Sequence, residues 1–124
     1  MRVLITGASS GIGRDLAREF CKRKYELILV ARNEAKLKEL YKDNEKQFEK
    51  YTKVSIVSLD LSNPENCKKL YKEQKNVDIL INNAGFGVFG EFTKTDLEKE
   101  INLINTNITA VHILTKLYLK DMIE

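Results

Sequence analysis

A glycine-rich octapeptide near the N-terminus carries the clearest chemical signal in this sequence. Thr6-Gly7-Ala8-Ser9-Ser10-Gly11-Ile12-Gly13 follows directly on the apolar run Val3-Leu4-Ile5. A strand that leads through such a turn into a helix can hold a phosphate, because the first helix amides lack partners and carry partial positive charge. Glycines allow the backbone angles of the turn and a close approach of the anion. The octapeptide therefore predicts a phosphate site, although an ordinary turn before a helix is the alternative.

Arg32 follows the second apolar run, in Val30-Ala31-Arg32-Asn33. Dinucleotide-binding folds place the residue that contacts the adenosine ribose here, roughly 20 residues past the glycines. A carboxylate at this point accepts from the 2′-hydroxyl of NAD, whereas a guanidinium pairs with the 2′-phosphate of NADP. Glu34 fits better as a first-turn residue that complements the helix dipole. Arg32 therefore favours NADP(H), and its alternative is a solvated loop arginine.

Four apolar runs, at residues 2–6, 26–31, 53–59 and 77–82, alternate with helical patterns. Leu27-Ile28-Leu29-Val30 and Ile79-Leu80-Ile81 are continuously apolar, which is typical of strands that are covered on both faces. The order predicts an α/β fold, a Rossmann-like doubly wound parallel sheet of about four strands. By analogy with doubly wound folds, we expect the strand order 3-2-1-4. The ligand crevice is then expected at the carboxyl ends of strands 1 and 4.

The helical patterns between these strands have recognisable starts. One face of a single second helix is marked by Leu37, Leu40, Tyr41 and Phe48. Capping boxes predict that the next two helices start at Ser62-x-x-Glu65 and Thr95-x-x-Glu98. The second box opens a long helical stretch that runs toward the C-terminus.

Polar groups also follow the third and fourth strands. Asp60 lies in Leu59-Asp60-Leu61-Ser62, where Ser62 as the cap would leave its carboxylate free for another donor. Asn82-Asn83-Ala84-Gly85 ends the fourth strand, and adjacent buried amides require hydrogen-bond partners. With the octapeptide and Arg32, these segments resemble the short-chain dehydrogenase/reductase family in type and order, from end to end of the chain.

The resemblance implies a role for individual residues. Asp60 accepts from the adenine amino group with help from the Leu61 backbone, and Asn82 ties strand 4 to its neighbours. Asn107 matches the helix asparagine of the catalytic tetrad, whose carbonyl holds a water that leads to the catalytic lysine. The residues implied to contact NADP(H) are Thr6, Gly7, Ser9, Ser10, Gly11, Ile12, Gly13, Arg32, Asp60, Leu61, Asn83, Ala84 and Gly85.

The same resemblance implies an NADP-dependent oxidoreductase that transfers hydride between the nicotinamide and a small carbonyl or alcohol substrate. The family's catalytic Ser and Tyr-x-x-x-Lys follow a fifth strand, which this chain does not reach. Tyr71-x-x-x-Lys75 precedes the fourth strand and is interpreted as a coincidence, and His112 is given no role. We therefore expect residues 1–124 to form one NADP(H)-binding Rossmann domain, a truncated cofactor-binding half that is inactive alone.

Other functions remain open at this point. A non-enzymatic NADP(H) sensor would keep the cofactor cradle and need no tyrosine. An assembly fragment would associate through strand 4 or the last helix, and an apolar edge strand is a template for association, so we expect a homo-oligomer. A sugar-nucleotide epimerase relative shares the fold, but Asn82-Asn83-Ala84-Gly85 speaks against it.

The composition is that of an ordinary globular domain. A net charge of +3 spread along 124 residues does not indicate a nucleic-acid surface. No apolar run approaches the ~18 residues of a membrane span. Cys21 and Cys67 lie far apart without metal-ligand spacing, so we expect two reduced thiols, no metal and a cytoplasmic protein.

Overall fold

A computed structural model describes residues 1–9 and 11–124. Its strands are β1 (Arg2–Thr6), β2 (Glu26–Ala31), β3 (Val54–Ser58) and β4 (Ile79–Ile81). Its α-helices are α1 (Gly11–Lys22), α2 (Glu34–Asp43), α3 (Glu45–Tyr51), α4 (Pro64–Glu73), α5 (Leu97–Ile104) and α6 (Ala110–Ile123), with a π-helical turn at Asn105–Thr109 between the last two. Ser10, which belongs to the predicted phosphate loop, lies outside the described residues.

The four strands form one parallel sheet in the order β3-β2-β1-β4. Val3 of β1 pairs with Leu27 on one side and with Ile79 on the other. The predicted doubly wound topology is therefore confirmed. The third and fourth strands are shorter than the apolar runs that predicted them.

Consecutive residues of the central strands pack into two separate cores. Val3 and Ile5 face α1, α2 and α3, where they meet Ala17, Leu37 and Phe48. Leu4 faces α4 and α6, with Leu70, Leu114 and Tyr118. Because both faces of β1 and β2 are covered, their sequences are continuously apolar rather than alternating.

The second helix is interrupted at Asn44, where a single helix was expected. Asn44 has φ −118° and ψ 13°, outside the helical region. Its side-chain amide donates to the Leu40 carbonyl at 2.8 Å, and its Oδ1 accepts from Arg18 Nε at 3.2 Å. A short polar side chain that bonds the backbone competes with the helical ladder, which explains the break into α2 and α3.

Both predicted capping boxes are displaced by one residue. Asn63, not Ser62, caps α4 by accepting from the Glu65 amide at 3.0 Å. Asp96, not Thr95, caps α5 by accepting from the Lys99 amide at 3.2 Å. Asn and Asp are at least as good at this position as Ser and Thr, so a polar pair before a helix leaves the cap ambiguous in sequence.

The long C-terminal helical stretch is not a uniform α-helix. The Ala110 amide donates to the Asn105 carbonyl, five residues earlier, as in a π-helix. This turn contains Asn107. Such turns are concentrated at functional sites because they shift the side chains that follow relative to those before.

Apolar side chains remain exposed on the β4 side of the sheet. All three residues of β4 are only half-buried, as expected for an edge strand. Along α5 and the π turn, four apolar residues with helical spacing are 41–65% exposed: Leu97, Ile101, Ile104 and Ile108. Among the described residues, no helix combines the length and apolar character that crossing a membrane requires.

Candidate functional site

An open cleft of about 380 Å³ lies at the carboxyl ends of the strands. In a parallel α/β sheet, this edge collects the loops that follow every strand, and ligands bind where the strand order reverses. Here that reversal lies between β1 and β4. The lining consists of Gly7, Ser9, Ala31, Arg32, Asn33, Lys36, Leu59, Asp60, Leu61, Asn83, Ala84, Gly85, Phe86 and Thr106.

The three glycines of the phosphate loop have different reasons to be glycine. Gly7 and Gly11 have φ of +64° and +57°, which L-residues rarely adopt. A Cβ on Gly7 would lie 2.9 Å from the Ala84 backbone, whereas a Cβ on Gly11 would meet nothing within 4 Å. Gly13 is buried, and its Cβ would collide with the Gly7 carbonyl and the Asn83 side chain. The first and third glycines thus serve packing, whereas the space beside the second is open.

Thr6 joins the ends of β1 and β4. Its hydroxyl donates to the Ile81 carbonyl at 3.3 Å and accepts from the Asn83 and Ala84 amides, each at 3.0 Å. Asn83 adds a bond from its side-chain amide to the Gly7 carbonyl at 3.1 Å. Thr6 is only 1% exposed and lies outside the cleft lining. It therefore positions the loop that lines the cleft, and a contact between Thr6 and a cofactor stays a prediction.

The β2 end of the cleft is basic. Arg32 and Lys36 both line it and both are exposed. Ser58 holds the strand end by donating from its hydroxyl to the Arg32 carbonyl at 3.1 Å. Glu34 is paired with Lys38 at 3.1 Å, as expected for a first-turn glutamate with a lysine one turn later. Glu34 is therefore paired within its own helix, and Arg32 and Lys36 leave this wall of the cleft basic.

Asp60 is already partly engaged. Its Oδ1 accepts from the Ser62 amide at 3.0 Å and from the Ser62 hydroxyl at 2.7 Å. The expectation that a Ser62 cap would leave the carboxylate without a local donor is therefore wrong. Oδ1 stabilises the turn that starts after β3, while Asp60 and Leu61 remain in the cleft lining.

Asn107 clamps the loop that follows β4. Its Oδ1 accepts from the Phe86 amide at 3.1 Å, and its Nδ2 donates to the Phe86 carbonyl at 2.8 Å. A Cβ on Gly85 would lie 2.9 Å from Asn107 Oδ1, so glycine allows this close approach. Asn82 makes a second link, donating to the Thr115 hydroxyl of α6 at 3.0 Å. The asparagines therefore tie β4 and its loop to the C-terminal helices.

Most of the residues that the sequence singled out do meet at one place. Gly7, Ser9, Arg32, Asp60 and Leu61 line the cleft together with the strand-end segment Asn83-Ala84-Gly85. Gly11 and Ile12 are exposed at the start of α1, outside this lining, and Gly13 is buried beneath it. Their contacts with a cofactor stay predictions.

Sequence reasoning missed several lining residues. They are Ala31, Asn33, Lys36, Leu59, Phe86 and Thr106. Asn33 could have been found as the residue before a helix start, since it caps α2 by accepting from the Lys36 amide at 3.1 Å. Lys36 carries no such signal in a lysine-rich segment.

The Tyr71-x-x-x-Lys75 pattern lies away from the cleft. Lys75 stands over the Tyr71 ring, with its Nζ 3.3 Å from the centroid, and the Tyr71 hydroxyl donates to Asp121 at 2.7 Å. The Lys75 carbonyl accepts from Arg2 at the start of β1, which is the opposite edge of the sheet. Within the described residues there is no cluster of three metal-ligating side chains.

Comparison with known proteins places this geometry in a family. The short chain dehydrogenase family profile matches residues 1–124. The chain is 35% identical to an NADP-dependent 3-hydroxy acid dehydrogenase from Schizosaccharomyces pombe, over 92% of the chain and 46% of that protein. It is 32% identical to an inactive hydroxysteroid dehydrogenase-like protein 1 from Pongo abelii, over 98% of the chain and 38% of that protein.

A solved structure shows the same fold. A short-chain dehydrogenase from Sphingobium yanoikuyae in complex with NADPH superimposes with a TM-score of 0.87 and 33% sequence identity. The alignment covers 98% of this chain and 48% of that one. This chain therefore spans about half the length of that structure, and less than half of the two curated relatives.

Proposed function

This chain belongs to the short-chain dehydrogenase family, and from that premise we propose that its cleft binds NADP(H) for an oxidoreductase reaction on a carbonyl or alcohol. One observation carries the choice of coenzyme. Arg32 and Lys36 line the β2 end of the cleft, and the nearby Glu34 is bound to Lys38. A 2′-phosphate fits this positive wall, whereas an NAD site requires a carboxylate that accepts from the ribose.

The loop residues fit a dinucleotide. The amides at the start of α1, beside the open space at Gly11, bind the diphosphate, and Ser9 of the same loop lines the cleft. Asp60 and Leu61 contact the adenine from the end of β3. The strand-end segment Asn83-Ala84-Gly85 lies against the nicotinamide half, where small residues allow a close approach to the backbone.

The bound cofactor would supply hydride at the nicotinamide ring. The residues of this chain bind and orient it, and Asn107 holds the Phe86 backbone at that end of the cleft. No tyrosine lines the cleft among the described residues. We therefore expect the 124-residue chain to bind NADP(H) without catalysing turnover, and the acid–base group to come from another part of the enzyme.

Calorimetric titration of the chain with NADPH and NADH tests the coenzyme choice. Arg32→Ala should weaken NADPH binding by about 10- to 100-fold, since it removes a charge-assisted contact, and leave NADH binding within about twofold. Arg23→Ala is the matched control, because Arg23 is an exposed arginine just after α1, away from the cleft. Equal losses for the two coenzymes would remove the phosphate role of Arg32.

Absorbance of NADPH in the presence of carbonyl compounds tests turnover. Oxidation above the blank by purified 1–124 would contradict our proposal that the chain alone lacks an acid or base. An unchanged melting temperature at saturating NADPH would count against cofactor binding itself, because a ligand of the native state must raise stability.

A non-enzymatic NADP(H) sensor is the second candidate. It is favoured by the 32% identity to a relative named as inactive and by the absence of tyrosine from the described lining. The coding sequence that follows codon 124 separates the two. A downstream Ser and Tyr-x-x-x-Lys in the same frame favours the enzyme, and an open frame without them favours the sensor.

We also propose that the protein self-associates. The exposed stripe on α5 and the π turn, defined by Leu97, Ile101, Ile104 and Ile108, resembles an interface rather than a solvated helix face. Light scattering of the purified chain measures this directly. A strictly monomeric chain at high concentration would contradict it.

A further inference from the structure

Lys36 occupies a position in the cleft that its sequence neighbourhood does not reveal. It is the third residue of α2, and its amide bonds the Asn33 cap. Helical side chains lean toward the N-terminus of their own helix, so a long side chain at this position reaches back over the first turn. In agreement with this direction, Lys36 borders the cleft together with Arg32 and Asn33.

The charges around Lys36 are unusual for a helix start. Two cations, Arg32 and Lys36, stand at the positive end of the α2 dipole, where an anion is favoured and a cation is not. Among the described residues, neither has a carboxylate within ion-pair distance, since Glu34 is bound to Lys38. The only acidic residue of the described lining is Asp60, whose Oδ1 is held by Ser62.

Cations at a helix N-terminus depart from the usual preference for anions there, and such departures are expected at functional positions. A phosphate dianion bound between Arg32 and Lys36 would offset the repulsion between these two cations and the positive end of the α2 dipole. Arg32 offers a planar fork for directional bonds, whereas Lys36 offers a compact, mobile charge. The two cations can therefore bind one phosphate without competing for the same geometry.

We propose that Lys36 is a second specificity-determining residue for the 2′-phosphate of NADP(H), acting with Arg32. This inference rests on the proposed function, because it assigns a further residue to the same cofactor site. Lys36 is exposed, so its contribution is smaller than that of a buried contact and is weakened by salt. It acts on coenzymes that carry the 2′-phosphate and leaves NADH unaffected.

The test compares the binding of adenosine 2′,5′-bisphosphate with that of AMP, which lacks the 2′-phosphate. Lys36→Gln should lower the ratio of the two affinities by about three- to tenfold at low salt, with a smaller drop in high salt. Lys36→Arg should retain most of the ratio. Lys42→Gln is the matched control, since Lys42 is an exposed lysine in the last turn of the same helix, outside the cleft lining. Urea unfolding of each variant checks that the fold is intact.

The outcomes separate this inference from the proposed function. If the wild-type chain prefers the bisphosphate and Lys36→Gln keeps the full preference, the role of Lys36 is refuted while NADP(H) binding stands. An equal drop in the Lys42→Gln variant also overturns the inference, because it would reflect general surface charge. If the wild-type chain does not distinguish the two ligands, the proposed coenzyme choice itself fails.

Discussion

Thr6 offers a direct test of how the cleft is assembled. Replacing it with valine keeps the branched shape of the side chain but removes the hydroxyl that joins β1 to the end of β4. That hydroxyl accepts from the Asn83 and Ala84 amides at 3.0 Å each and donates to the Ile81 carbonyl at 3.3 Å. Because Thr6 is 1% exposed, water cannot take over the place of the hydroxyl without rearrangement.

The size of the effect follows from the groups left unpaired. A buried donor that loses its acceptor costs about 1–3 kcal/mol. The Asn83 amide keeps a second acceptor, the Ile81 carbonyl at 3.1 Å, and Ala84 is half-buried, so the total cost is about 1.5–3 kcal/mol. Thr6→Ser is the control, since it keeps the hydroxyl and loses only a methyl group, at about 1 kcal/mol.

Urea unfolding followed by circular dichroism measures both variants. With a slope of about 1–3 kcal/mol per molar urea, Thr6→Val should lower the midpoint by about 1 M, more than Thr6→Ser does. If valine destabilised the chain no more than serine does, the hydroxyl would not be the link between the two strand ends.

Two further predictions concern stability and the cysteines. Lys24 has φ +63° and ends α1 in a Schellman-type turn, with the Tyr25 N–H bonded to the Phe20 carbonyl at 3.2 Å. Because glycine adopts this backbone angle without strain, Lys24→Gly should raise the free energy of unfolding by about 0.5–1 kcal/mol in urea titrations. Unchanged or lower stability would contradict this. Burial raises the pKa of the Cys21 and Cys67 thiols above the ordinary value of 9.0, so folded protein should react slowly with Ellman's reagent at pH 8 and fully in urea. Because the unfolded thiols lose their protons first, the free energy of unfolding should fall as the pH rises above about 9, and a flat profile between pH 8 and 10 would contradict the shift.

The glycine loop shows which features of the site a short sequence pattern can predict and which it cannot. Its position between β1 and α1 and its left-handed residues are encoded locally, because only glycine adopts such angles without strain. The close packing that requires glycine at position 13 cannot be predicted from the loop sequence. It depends on Asn83, which lies next to it only after the sheet has formed.

The helix boundaries illustrate a second limit. A polar pair such as Ser62-Asn63 or Thr95-Asp96 offers two possible caps, and the choice depends on where the chain leaves the preceding strand or loop. The break at Asn44 likewise depends on Arg18, 26 residues away, which holds the asparagine side chain. Propensity alone cannot rank such alternatives, since their local free energies are similar.

What the sequence by itself determined was the order of the elements, the parallel sheet, its strand order and the edge at which the cleft lies. The elements and their order follow from apolar runs and glycine positions, which act over a few residues at a time, whereas the strand order and the cleft edge were inferred by analogy with doubly wound folds. Only the tertiary structure decided that Thr6 bonds amides 77 and 78 positions away, that Ser62 engages Asp60 and that Lys36 stands beside Arg32. Such contacts depend on strand register and on the direction in which each helix presents its side chains, which no short stretch of sequence specifies.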